Sequence, residues 1–107
     1  MSWAGTGGQT YSWSDNKEAY EAAIRQEMGE LVEFVEETGM FAILNEFGCN
    51  TGSSVSNADE TAYANTVVSC IKDNDKIAYT WWEYEQAFGM TSNGSWKNHI
   101  LNEIMAK

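Results

Sequence analysis

The chain has no proline, one histidine, two cysteines and six basic residues in 107, and each scarcity removes a class of function. Sixteen acidic residues against those six leave a formal net charge of −10. A polyphosphate backbone or an anionic membrane surface is then repelled, so nucleic acid and membrane are set aside as partners. No apolar run approaches the roughly 20 residues of a membrane span. The opening MSWAGTGGQT has neither the basic region nor the apolar core of a secretory signal, and it reads as a segment beginning inside a loop. Cys49 and Cys70 show no CxxC or Cys/His spacing, so no zinc or thioredoxin-type redox site is supported, and neither metal nor cofactor is expected. His99 is the only imidazole that a Ser-His-Asp or Cys-His relay could use. Its place in the polar run Lys97-Asn98-His99, at the head of a late helix, reads as a surface position.

What is present suits one small folded domain: 43% hydrophobic residues, with five Trp, five Tyr and four Phe. Residues 1–14 form an aromatic, Gly-rich loop, and residues 15–107 read as helix, strand, helix, strand, helix. In the first helix Ser14 or Asp15 is the expected N-cap, with Glu18 three after Asp15 as in a capping box. Tyr20, Ile24, Met28, Leu31 and Val35 fall on one stripe, and Gly39 stops the helix. A strand is expected over Met40–Leu44, then the polar loop GCNTGSSVSNAD, then a helix over 59–73 with Ala62, Tyr63, Thr66, Val67, Cys70 and Ile71 at helical spacing. KIAYTWW supplies the second strand. After an Asn93-Gly94 turn, Ser95 caps a terminal helix burying Trp96, Ile100, Leu101, Ile104 and Met105.

Strands alternating with helices through short connections call for a parallel sheet. Two such strands leave both edges and one face of the layer open, so completion by another chain or by self-association is expected. FAILNEFG, residues 41–48, is a continuous apolar run of the kind buried on both faces of a parallel sheet, and it ends in Asn45 and Glu46. Groups just past the carboxyl ends of parallel strands converge on the cleft of α/β folds. Glu46 is therefore either a catalytic carboxylate or a solvated cap. In the second strand, AYTWWEYEQAFGM gathers Trp81, Trp82, Tyr84 and Phe88 around Glu83 and Glu85. Aromatic rings stack on sugar faces while carboxylates bind hydroxyls, so either a carbohydrate site or core and lid packing fits.

FAILNEFG resembles the seventh strand of glycoside hydrolase family 5, the cellulases, mannanases and relatives with (β/α)8 barrels. There a Glu before Phe-Gly is the catalytic nucleophile. IAYTWWEYEQAFGM resembles that family's eighth strand, whose Trp lines the subsite of cleavage. The resemblance covers residues 15–107. It implies an α/β fold that is the C-terminal portion of a TIM barrel, with about two parallel strands and three helices. It implies Glu46 as nucleophile and Trp82 as sugar platform, with Asn45, Trp81, Glu83, Tyr84 and Phe88 shaping the substrate cleft. The expected substrate is a β-1,4-glucan, and the parent enzyme is expected to be secreted. The family's acid/base is the Glu of an Asn-Glu-Pro motif on the fourth strand, and this chain has no proline. A whole barrel needs about 250 residues, so the chain alone is expected to be inactive. In such a barrel Cys49 lies at a strand top and Cys70 about 16 Å down the next helix, too far for a disulfide. The competing expectation is a noncatalytic, acidic, aromatic-rich module that binds carbohydrate or protein. A helical oligomer is a third.

Overall fold

In a computed structural model, residues 13–49 and 55–106 are described. The N-terminal loop up to residue 12, and most of the polar loop after Cys49, lie outside them. The elements are α1 (Lys17–Thr38), β1 (Ala42–Phe47), α2 (Asn57–Ile71), β2 (Ile77–Trp81), a single 3-10 turn (Gln86–Phe88), β3 (Thr91–Ser92), β4 (Ser95–Trp96) and α3 (Asn98–Ile104).

The stripe expected on α1 faces inward. Met28 and Val35 are buried and Ile24 and Leu31 pack against them. Gly39 ends the helix at φ 69° with its N–H on the Val35 carbonyl (2.9 Å), the left-handed turn that glycine adopts without penalty. The expected cap is not made. Asn16 holds the cap position with no side-chain capping bond, because Ser14 instead donates to Asp59 Oδ1 across the fold (2.9 Å). α2 starts two residues earlier than expected, where the Ser56 hydroxyl accepts from the Asp59 N–H (3.0 Å).

β1 and β2 pair in parallel, Ala42 to Ile77, Ile43 to Ala78 and Leu44 to Tyr79. α2 packs between α1 and α3. The helices cover one face, so burial alternates along both strands. Ala42, Leu44, Ile77, Tyr79 and Trp81 turn toward the helices, whereas Ile43, Ala78 and Thr80 are exposed. FAILNEFG is thus covered on one side only: Phe41 is 77% and Ile43 67% exposed. Among the described residues no strand pairs with the outer edge of either β1 or β2.

The C-terminal region departs from expectation. Asn93 (φ 51°) and Gly94 (φ 76°) form a two-residue turn with both φ positive, the primed geometry that closes a hairpin. Ser95 and Trp96 therefore pair with Thr91 and Ser92, and α3 begins only at Asn98. Ile100 is fully buried and Ile104 packs on the core, but Trp96 and Met105 are exposed. Among the described residues no helix is long and apolar enough to cross a membrane.

Candidate functional site

The site expected from sequence lies where β1 and β2 end side by side. β1 runs three residues further than expected, so Glu46 lies within the strand. The pairing register breaks between Leu44 and Phe47, an irregularity that leaves Asn45 and Glu46 both facing solvent. Pairing resumes with Phe47 opposite Trp81, and the Trp82 N–H donates to the Phe47 carbonyl (2.8 Å). Glu46 and Trp82 are thus carried by adjacent, mutually bonded strand ends.

Gly48 completes the junction. A Cβ there would collide with the Trp82 carbonyl oxygen and meet the Phe88 ring at 3.4 Å, so only a residue without a side chain lets the chain pass. Beyond Trp82 the backbone folds on itself. The Trp82–Glu83 peptide is cis. Glu83 N–H donates to the Phe88 carbonyl (3.1 Å) and Met90 N–H to the Glu83 carbonyl (2.7 Å), while the Thr91 N–H and hydroxyl both bond the Tyr84 carbonyl (3.1 and 2.8 Å). This network presents Trp82 (48% exposed) and Tyr84 (62%) to solvent, with Glu83 and Phe88 partly covered.

Trp81 points the other way. It is 6% exposed, gives its indole N–H to the Phe88 carbonyl (2.8 Å), and packs edge-to-face on Phe47 (5.3 Å) and Tyr63 (6.1 Å). It therefore supports the site from below and offers no face to a ligand at its surface. Tyr63 continues the aromatic layer to Trp13 (6.0 Å), which stacks on Tyr20 (5.7 Å).

A charged cluster behind the junction escaped the sequence reading. Glu60 in the first turn of α2 is 2% exposed. Lys97 Nζ lies 3.2 Å from its Oε1 and His99 Nε2 2.7 Å from its Oε2. His99, read from sequence as a surface position, is half-buried and forms half of a clamp that ties the start of α3 to the start of α2. The partner lies 39 positions away in sequence, and the only local signal was an acid in a helix's first turn. The cluster reaches the junction electrostatically. Burial pushes the Cys49 thiol up to about 11, with Glu60 adding to the effect and Lys97 opposing it. Burial also pushes the Tyr63 phenol up to about 12, reinforced by Cys49 and countered by a hydrogen bond from the Gly48 backbone. Cys49 and Cys70 are both free. Among the described residues no group of three His, Cys, Asp or Glu is placed to hold a metal ion. Among the described residues two grooves lie along the helices, one between Lys17, Asn57 and Glu103 and one between Val32, Cys70 and Lys76, and neither contains a residue of the junction.

The fold therefore defines the class as a mixed α/β unit of two parallel strands and three helices, with an aromatic, acidic surface at the strands' carboxyl ends. No protein-family model matches the chain, and no curated protein matches it in sequence. Solved structures do share its fold. The clostridial cellulose synthase subunit Z from Clostridioides difficile matches 98% of this chain with 31% of its own length, at TM-score 0.67 and 17% identity. A hyperthermophilic endo-β-1,4-glucanase solved in complex with substrate matches 86% of this chain with 29% of its own, at TM-score 0.69 and 18% identity. A third structure, an endoglucanase, matches 81% with 28%, at TM-score 0.67 and 16% identity. Identities this low speak for fold alone. The chain spans about three tenths of the length of each of these structures.

Proposed function

We propose that the chain is the C-terminal portion of a (β/α)8 barrel of a retaining, endo-acting glycosidase similar to glycoside hydrolase family 5, that its substrate is a β-1,4-glucan, and that the parent enzyme works outside the cell. The observation that carries this reading is the junction itself. An exposed carboxylate and an exposed tryptophan stand on adjacent parallel strand ends, locked by the Phe47–Trp82 bond and by Gly48. The partial match to an endo-β-1,4-glucanase and a cellulose synthase subunit supports it.

In this reading Trp82 stacks on the sugar at the point of cleavage, with Asn45, Glu83, Tyr84 and Phe88 shaping the cleft. The Glu46 carboxylate attacks the anomeric carbon, a C–O bond forms as the glycosidic bond breaks, and the leaving oxygen takes a proton from a second carboxyl roughly 5–5.5 Å away. Water then hydrolyses the glycosyl-enzyme, giving its proton back to that group. The second carboxyl belongs to strands that this chain does not supply. The same strands would cover the exposed Phe41, Ile43, Ala78 and Thr80 and pair with both sheet edges; failing them, a second copy of the chain does so.

A chimera tests the proposal. The part of the hyperthermophilic endo-β-1,4-glucanase that this chain does not match is placed ahead of residue 13, and cooperative melting confirms that the product folds. Turnover of soluble β-glucan is expected from the chimera, with none from the chain alone and a loss of several orders of magnitude in Glu46→Gln. A folded, active chimera indifferent to Glu46→Gln would leave the noncatalytic binding module as the reading to keep.

A further inference from the structure

Trp96 has no part in the site described above, and its position is unexpected. Terminal-helix packing would bury it, yet the Asn93-Gly94 turn places it on β4, 53% exposed, with its ring against Tyr84 at 5.8 Å and 76°. We infer that Tyr84 and Trp96 form a second sugar platform, one step along the glucan chain from Trp82. This inference rests on the β-glucan reading above.

Three observations support it. Both residues are more than half exposed, and an edge-to-face pair leaves a ring face open, which is what a pyranose stacks on. Both rings also sit on ordered backbone. The Tyr84 carbonyl holds two hydrogen bonds from Thr91, and Met90 accepts from the Lys97 N–H at 2.8 Å. Lys97, next to Trp96, is tied to buried Glu60 at 3.2 Å. A ligand therefore meets side chains whose ordering cost has been met in folding. Finally, the pair is continuous with the candidate site. Tyr84 is two residues beyond Trp82, so their Cα atoms are at most about 7 Å apart, and Glu83 and Glu85 in the same loop provide acceptors for sugar hydroxyls. A net charge of −10 favours a neutral polysaccharide over an anionic one.

The rings also stabilise the hairpin, so the test must read binding at a named ring. Indole N–H signals of the whole chain are followed by two-dimensional NMR during titration with cellobiose and with cellohexaose, and the Trp82 and Trp96 signals are assigned from Trp82→Phe and Trp96→Phe. The expected result is that cellobiose moves the Trp82 signal alone and cellohexaose moves both. Trp96→Ala should weaken cellohexaose by about 3- to 10-fold, the loss of one aromatic contact, and leave cellobiose unchanged, while Trp96→Phe should keep the binding. If Trp82 responds to cellohexaose and Trp96 does not, the second platform is overturned and the glucan reading stands. If neither responds, both fall. A Trp96 signal that moves with protein concentration instead of sugar means that a second copy covers the ring, which also overturns the platform.

Discussion

A single methyl group at position 48 would strike the carbonyl of Trp82, and that contact explains why glycine follows Phe47. The Phe-Gly pair was legible in sequence as part of a motif, but the reason for it was not, since the obstacle comes from the residue just past β2, more than thirty positions later. Gly48→Ala should destabilise the chain by about 1–3 kcal/mol, the cost of forcing atoms into packed structure, and lower its melting temperature by roughly 4–8 °C per kcal/mol. An unchanged melt would mean that the two strand ends are not locked as described. Cys49 and Tyr63 supply a second test at this scale. Their folded values of about 11 and about 12 lie above the ordinary 9.0 and 10.0, so the native state holds protons that the unfolded chain releases. Stability is then fully present below pH 9 and falls as pH rises from 9 toward 12. Urea midpoints across that range should decline, and alkylation of Cys49 at pH 8, read by peptide mass, should be slow and should speed up in Glu60→Gln.

At the scale of elements, periodicity was the reliable signal. The α1 stripe, the Gly39 stop, the two strands and the body of α2 follow from spacing alone, because each depends on residues within a few turns of one another. The failures occurred where a distant group or a stronger local rule intervened. Ser14 gave its hydroxyl to Asp59 rather than to its own helix, and Asn93-Gly94 drew Ser95 and Trp96 into a hairpin ahead of α3. The Glu60 clamp needs α2 and α3 already side by side. Its two halves should respond unequally to substitution. Glu60→Gln leaves Lys97 and His99 able to reach water and should cost about 1–2 kcal/mol. Lys97→Met with His99→Phe strands a carboxylate that is 3% exposed and should cost about 3–5 kcal/mol. Urea denaturation of both variants reads the difference, and equal losses would contradict the clamp.

At the scale of the molecule, the governing feature is a two-stranded parallel sheet with Phe41 and Ile43 exposed on its open face. The element count led to the expectation that another chain or a second copy covers that face. Burial of apolar surface at roughly 25 cal/mol per Å² drives such a face to find a partner. Phe41→Ser with Ile43→Thr should reduce the self-association of the chain, read by sedimentation, while changing monomer stability by no more than about 0.5 kcal/mol. Glu46 is the proposed nucleophile of the completed barrel. The most direct measurement treats the folded chimera with a 2-fluoro-β-cellobioside bearing a dinitrophenolate leaving group, which departs with its electron pair and needs no acid. A covalent glycosyl adduct is expected, located by peptide mass on the segment 41–48 at Glu46. An adduct on any other residue, or an active chimera that forms none, would contradict it.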